Sequence, residues 1–315
     1  MQQLLLLTVF ILLCACSRDQ GSSDQSSSDR PETHLETQPQ TQPESQLETQ
    51  LETQLQGQPN FRDIGGYLTR DGRKIKRGLV FRSGELPRLT EKDVQHLETL
   101  DIKTVVSFLQ QEEIDGRGKD RLPPNVREIH LPIKTVVDPD LPVKILQARQ
   151  TGDFTNVPAE LNPELHRLLI REANKEYASL IRELARPASR PLVFHCSHGV
   201  HRTGTATAII LSALGVPWET VREDYLLSNT YRKAEVERRL MELRMSAAKT
   251  FDIKPEQVDM RNINAFYILQ PEYIDASLEQ AIKQFGSMSN YIREGLGITD
   301  NELVNLREQL LEQEK

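Results

Sequence analysis

Cysteine is scarce in this chain. There are three, Cys14, Cys16 and Cys196, and the first two lie in a short apolar segment at the N-terminus. The remainder holds a single thiol, so it cannot close an internal disulfide, and that thiol is a candidate for use rather than for crosslinking. An excess of basic charge is also missing. The net charge is -7, and residues 1–60 carry only Arg18 and Arg30 against eight acidic residues, which leaves the rest of the chain close to neutral. No basic face of the kind that binds nucleic acid is expected. A long apolar run is absent as well. The run over residues 4–16 is too short to span a bilayer as a permanent helix and fits the core of a secretory signal. Residues 17–58 have almost no aromatic or branched apolar side chains and are rich in Gln, Ser, Glu, Thr and Pro. They cannot bury enough surface to offset the entropy of ordering. The short degenerate repeats of Leu-Glu-Thr-Gln within them are too few and too polar for a solenoid, so a flexible tether is expected there.

What remains, residues 59–315, has ordinary globular composition and is long enough for a substantial core. Its centre is His195-Cys196-Ser197-His198-Gly199-Val200-His201-Arg202-Thr203-Gly204. An apolar run bounded by proline precedes it and reads as a buried strand over 191–195. An apolar helix follows and ends at Gly215. Cys196 therefore sits in a strand-to-helix turn, with Arg202 where the helix begins. Further strands are expected over 78–84, 102–108 and 126–131. Helices are expected over 90–100, where Thr90 and Asp93 form a capping-box pattern, and over 163–184, 217–227, 230–248, 271–284 and from about 299 to the end. Residues 134–162 read as a loop or short helices over the site. Strands alternate with helices early and helices dominate late, which predicts an α/β fold with a central, mainly parallel sheet flanked by helices and a helical C-terminal part.

The chemistry follows from the turn. A phosphate ester is a dianion that repels anionic nucleophiles until it is neutralised. Successive backbone N–H groups over Ser197, His198, Gly199, Val200 and His201, running into a helix N-terminus, supply that positive field, and Arg202 adds a forked cation. The same field lowers the pKa of Cys196 and makes it a nucleophile. Thr203 can donate to the thiolate, and His195 can order the loop through backbone hydrogen bonds.

The motif H-C-x-x-G-x-x-R-T-G resembles the Cys-x5-Arg signature of the protein tyrosine phosphatase superfamily. Asn60-Phe61-Arg62-Asp63-Ile64-Gly65-Gly66-Tyr67, Phe81-Arg82-Ser83-Gly84 and Asp224-Tyr225-Leu226-Leu227-Ser228-Asn229 are similar to segments of its bacterial tyrosine/serine phosphatases, and the likeness covers residues 59–312. The resemblance implies the phosphatase fold, a cysteinyl-phosphate intermediate, no metal or cofactor, and a phosphorylated protein or phospholipid as substrate. Many relatives carry Lys-Asp before the loop arginine, the Asp being their proposed general acid. Here those positions are Val200 and His201. His201 and Asp63 are the candidates for proton donor, with Asp138, Asp140, Asp153 and Asp224 as alternatives. A tethered pseudophosphatase that binds phosphorylated partners without turnover is the competing reading, and a sulfurtransferase is a third. At the other end, Leu13-Cys14-Ala15-Cys16 resembles a bacterial lipobox. That resemblance implies cleavage before Cys16, a lipid on its thiol, and a domain held outside the cytoplasm on a membrane, at the outer membrane or cell surface, with Ser17 favouring the outer membrane if the host is Gram-negative.

Overall fold

The computed structural model describes residues 54–134 and 138–313. The expected signal segment and nearly all of the expected tether lie outside the described residues. The folded part starts earlier than Pro59, because Leu55 is buried among the core residues and the N–H groups of Gln56 and Gly57 donate to the Asp93 carboxylate at 2.7 and 2.9 Å. One apolar side chain and one buried acceptor are enough to fix this end of the polar stretch.

In chain order the elements are β1 (Arg62–Asp63), β2 (Val80–Ser83), α1 (Glu91–Thr99), β3 (Thr104–Ser107), α2 (Gln111–Arg117), β4 (Arg127–His130), α3 (Leu141–Thr151), α4 (Leu161–Glu172), α5 (Asn174–Leu184), β5 (Leu192–His195), α6 (His201–Leu214), α7 (Trp218–Tyr231), α8 (Lys233–Phe251), α9 (Arg261–Tyr267), α10 (Pro271–Phe285) and α11 (Asp300–Leu310). The sheet order is β1-β2-β5-β3-β4. All pairings are parallel except that of the two-residue edge strand β1. This is the expected α/β architecture.

Strand alternation assigns the two faces. Val80, Val106, Leu192 and Phe194 point into the larger core, which α4, α5, α6, α10 and α11 cover. Phe81, Val105 and Val193 point the other way, against Leu86, Leu89 and the α1 residues Val94 and Leu97. Strand β5 is buried on both faces, as a central parallel strand must be. His195 is level with Ser83 on one side and Ser107 on the other. The next residue, Cys196, therefore leaves the sheet at the carboxyl edge of its middle strand, where open α/β sheets form crevices.

One expectation changes. The single helix over 163–184 is two helices, because the backbone at Ala173 (φ -100°, ψ 24°) leaves the helical region. Within residues 134–162, expected as a loop or short helices, residues 141–151 form α3. Its Leu141 and Ala148 pack with Phe154, Leu161, the α8 residue Leu243 and the α9 residue Ile263 in a third, separate core. That core stands beside the cysteine loop.

Candidate active site

The loop from Cys196 to Val200 joins β5 to α6. Gly199 turns it with φ +69°, and a Cβ there would meet Asn60 Nδ2 and the Ser83 carbonyl at 2.8 Å, so only glycine fits. The loop is held from behind by buried polar side chains. Asn60 Nδ2 donates to the His198 and Gly199 carbonyls at 3.0 and 3.2 Å, and Arg82 Nη2 donates to Gly199 O at 2.8 Å. Arg82 and Arg62 both pair with Asp224, which also accepts from the Tyr67 hydroxyl at 3.0 Å. All four of these side chains are buried. Two cations around one carboxylate make a costly cluster that is stable only when complete. Here it fixes the carbonyl side of the loop and leaves the N–H side to the cavity.

Cys196 is 2% exposed and unpaired with any thiol. Burial alone pushes its pKa up. The Arg202 charge, the Thr203 hydroxyl and N–H, and the Gly199 N–H outweigh burial and bring it below the ordinary thiol value. Arg202 is aimed by Glu113 of α2, which accepts from Nη1 at 2.6 Å and from Nη2 at 2.7 Å. The Phe108 carbonyl accepts from Nη1 at 2.9 Å, and the Ser197 hydroxyl lies 3.3 Å from Nη2. Behind the cysteine, His195 Nε2 lies 2.8 Å from an Asp120 carboxylate oxygen. Burial disfavours the imidazolium, and the Asp120 charge and hydrogen bond with the nearby thiolate override it, so the His195 pKa is raised.

Cys196, Ser197, His198, Val200, His201 and Arg202 line one cavity of about 360 Å³, with Glu113, Arg117 and Asp138 at its polar side and Leu141, Leu161 and Phe266 among its apolar walls. The proton-donor candidates separate here. Asp63 does not line the cavity: its carboxylate accepts from the Gly65 and Gly78 N–H groups at 2.8 and 2.7 Å and ties off a turn. Asp153 caps the turn to Thr155, and Asp224 sits in the cation cluster. His201 does line it, with Nε2 2.9 Å from Asn162 Oδ1. Burial, with the Arg202 and Arg232 charges, pushes its pKa down to about 3, so the ring is neutral. Asp138 also lines the cavity. The Asp140 N–H and the Lys144 ammonium, each 3.0 Å away, hold its carboxyl below the usual range.

Glu113 and Asp120 escape a reading of the sequence, since they reach Arg202 and His195 across the fold rather than along the chain, and Asn60 stands in a family-like segment that gives no sign of its contact with the loop. The residue separation between Glu113 and Arg202 is 89. The one trace of Glu113 is its place three residues after Gln110, whose N–H it caps at 3.0 Å.

The chain is similar to known phosphatases. Triple specificity protein phosphatase PtpB of Mycobacterium tuberculosis is 28% identical over 272 residues, which cover 80% of this chain and 96% of that protein. A candidate tyrosine-protein phosphatase of Cupriavidus necator is 24% identical over 242 residues, 76% of this chain and 82% of its own. Among solved structures, P. aeruginosa TpbA aligns over 57% of this chain and 90% of its own, with 21% identity and a TM-score of 0.30. The sequence model of the tyrosine phosphatase family matches residues 53–312, and with most of its length inside that match the chain belongs to this family of phosphatases.

Proposed function

We propose that the protein hydrolyses phosphotyrosine through a cysteinyl-phosphate intermediate at Cys196. The observation that carries this reading is the pairing of a buried, pKa-lowered thiol with an Arg202 guanidinium already aimed by Glu113, both on the wall of one cavity. Glu113 takes one hydrogen from each terminal nitrogen of Arg202. The Nε–H and the Nη2 hydrogen near Ser197 are the donors left for a phosphate. The loop N–H groups neutralise the remaining oxygens. The Cys196 thiolate attacks phosphorus, an S–P bond forms, and the ester P–O bond breaks with its electron pair on the leaving oxygen. Water then attacks the phosphocysteine, the S–P bond breaks, and phosphate and the thiolate are restored.

The acid side of the site favours aryl esters. His201 is neutral, Asp138 is held ionised, and Glu113 is committed to Arg202. A leaving group that departs without a proton must be a weak base. Tyrosine leaves as a phenolate of pKa about 10, whereas serine and threonine leave as far more basic alkoxides. Hydrolysis of phosphotyrosine and phosphoserine peptides by the wild type and by Cys196→Ser tests the reading. Phosphotyrosine turnover that is lost in Cys196→Ser, with little phosphoserine turnover, is expected. Equal rates in the two proteins would end it. The same lack of a ready proton donor supports a second reading, binding of phosphorylated partners without turnover. That reading predicts phosphopeptide binding and no phosphate release at any pH.

The N-terminal sequence supports a place for this activity. The lipobox-like Leu13-Cys14-Ala15-Cys16 and the polar stretch after it fit an exported protein anchored through a lipid on Cys16, with the phosphatase domain outside the cytoplasm.

A further inference from the structure

A second cavity of about 170 Å³ opens beside the first and shares Arg149, His198, Arg232 and Tyr267 with it. Four arginines line it, Arg149, Arg232, Arg238 and Arg239, against two carboxylates, Glu235 and Glu242. The arginines come from α3, from the junction of α7 and α8, and from α8 itself. Their pairing is incomplete. Arg232 is 7% exposed, its Nε makes no hydrogen bond, and Glu235 stands 3.8 Å from it. The buried Nε of Arg149 likewise has no hydrogen-bond partner. Arg239 is the better satisfied of the inner group, with Glu242 at 2.9 Å and the Arg149 carbonyl at 3.1 Å, and this second contact links α8 to α3.

A guanidinium buried without full partners costs free energy that an anion would recover. The cysteine loop and Arg202 offer donors enough for a single phosphate at Cys196. The side cavity has room for a group of phosphate size and not for a peptide segment. Arg232 and Arg149, shared by the two cavities, can contact a group in each. Resting on the phosphatase reading above, we infer that this site takes substrates with two phosphate groups on one compact scaffold. One is presented to Cys196, and the other is seated among Arg149, Arg232 and Arg239. Planar guanidinium forks suit a phosphate better than a carboxylate of the same charge, because a phosphate offers three oxygens to several forks at once. The chemistry at Cys196 is unchanged, since the second phosphate is bound and not attacked.

The test compares phenyl phosphate with benzene-1,3-diyl bis(phosphate) in the wild type, Arg239→Gln and the solvent-facing Arg238→Gln. Two equivalent phosphates alone raise kcat/KM about twofold, and a charge-assisted second contact is expected to raise it about tenfold or more beyond that. The ratio of the two substrates should fall towards the statistical factor in Arg239→Gln and part of the way in Arg238→Gln. Calorimetric binding of both compounds to Cys196→Ser reads the side cavity without turnover, and tighter binding of the bisphosphate is expected there, lost in the Cys196→Ser/Arg239→Gln double variant. If phenyl phosphate is not hydrolysed at all, the phosphatase reading fails while calorimetry still decides the subsite. Equal affinity of Cys196→Ser for the two compounds overturns the inference. So does a bisphosphate preference that survives Arg239→Gln. Inorganic phosphate that binds a second, Arg239-dependent site without any bisphosphate preference overturns it in favour of a free anion.

Discussion

At the residue scale the site depends on two indirect placements. Glu113 bears on the nucleophile through Arg202, holding both of its terminal nitrogens. In Glu113→Gln one of those contacts becomes an amide facing a donor, and the guanidinium is free to swing. A displaced positioning group costs about a hundredfold in rate, so kcat/KM for p-nitrophenyl phosphate should fall by about that factor, with the larger share in kcat. A Glu113→Gln enzyme within twofold of wild type would show that Arg202 is held by the loop alone. Thr203 acts on the thiol itself. Its hydroxyl is one of the groups that lower the Cys196 pKa, so Thr203→Val should raise it. The rate of alkylation by iodoacetamide against pH titrates the thiol directly. The midpoint is expected below the ordinary value of about 8.5 in the wild type and higher in the variant. An unmoved midpoint would assign the lowering to Arg202 and the backbone. His201 offers the matching negative control, because a ring with a pKa of about 3 does not titrate in the working range. His201→Gln should leave the basic limb of the pH–rate profile where it was.

At the element scale the loop is only as stiff as the cluster behind it. Asp224 on α7 joins Arg62 of β1, Arg82 of β2 and Tyr67, and Arg82 in turn reaches the Gly199 carbonyl. Asp224→Asn leaves two buried guanidinium groups with no counter-charge. The expected cost is about 3–5 kcal/mol, seen as a lower midpoint in urea and a lower Tm. Arg62→Met and Arg82→Met combined with Asp224→Leu should cost less than Asp224→Asn alone, since no unpaired charge remains. If the triple variant is the worse of the two, the cluster contributes by attraction and not merely by completeness. This cluster also shows which parts of the fold could be read in advance. The strand over 191–195, the helix after Arg202 and the Thr90 capping box are local patterns, and the structure has all three. The break at Ala173 is not legible because nothing in Glu172-Ala173-Asn174 forbids a helix, while in the fold α4 packs on α10 and α5 on α11. Over α3 the sequence allows a loop or a short helix without deciding between them, because the periodicity is weak: Val143 and Leu146 are exposed, and only Leu141 and Ala148 are buried, with Ile145 half-buried beside them. The partners of Arg202, His195 and Gly199 come from α2, the Asp120 loop and Asn60, and no spacing rule connects positions that meet only after the sheet has formed.

At the scale of the whole molecule, burial of uncharged histidine couples the site to folding. His166 is 0% exposed, between the Thr205 hydroxyl at 2.8 Å and the Tyr225 hydroxyl at 3.1 Å, and desolvation, with the neighbouring His201 ring and the Arg82 charge opposing a second proton nearby, holds its pKa well below the ordinary value. His201 is held down to about 3 by burial and two arginines. In the unfolded chain both rings titrate near 6.5. Between that value and their folded pKa values the unfolded state binds more protons, so stability is full above pH 6.5 and is lost as the pH falls below it. Each group contributes a slope of about 1.4 kcal/mol per pH unit in that window. His195 works in the opposite sense, because its pKa is raised by Asp120. Its contribution is complete below the unfolded value and fades only as the pH rises through the folded one, so it adds no acid sensitivity. The midpoint in urea should therefore drop steadily from pH 6.5 to pH 5, a range in which most carboxylates are still ionised. His166→Gln keeps a donor and an acceptor for Thr205 and Tyr225 and removes one titrating group. It should flatten the slope by about one proton's worth, even if the variant is less stable at pH 7. A slope in His166→Gln as steep as the wild type's would mean that the acid sensitivity arises elsewhere, with His198, whose pKa burial and the neighbouring arginines also hold well below the ordinary value, as the next group to test.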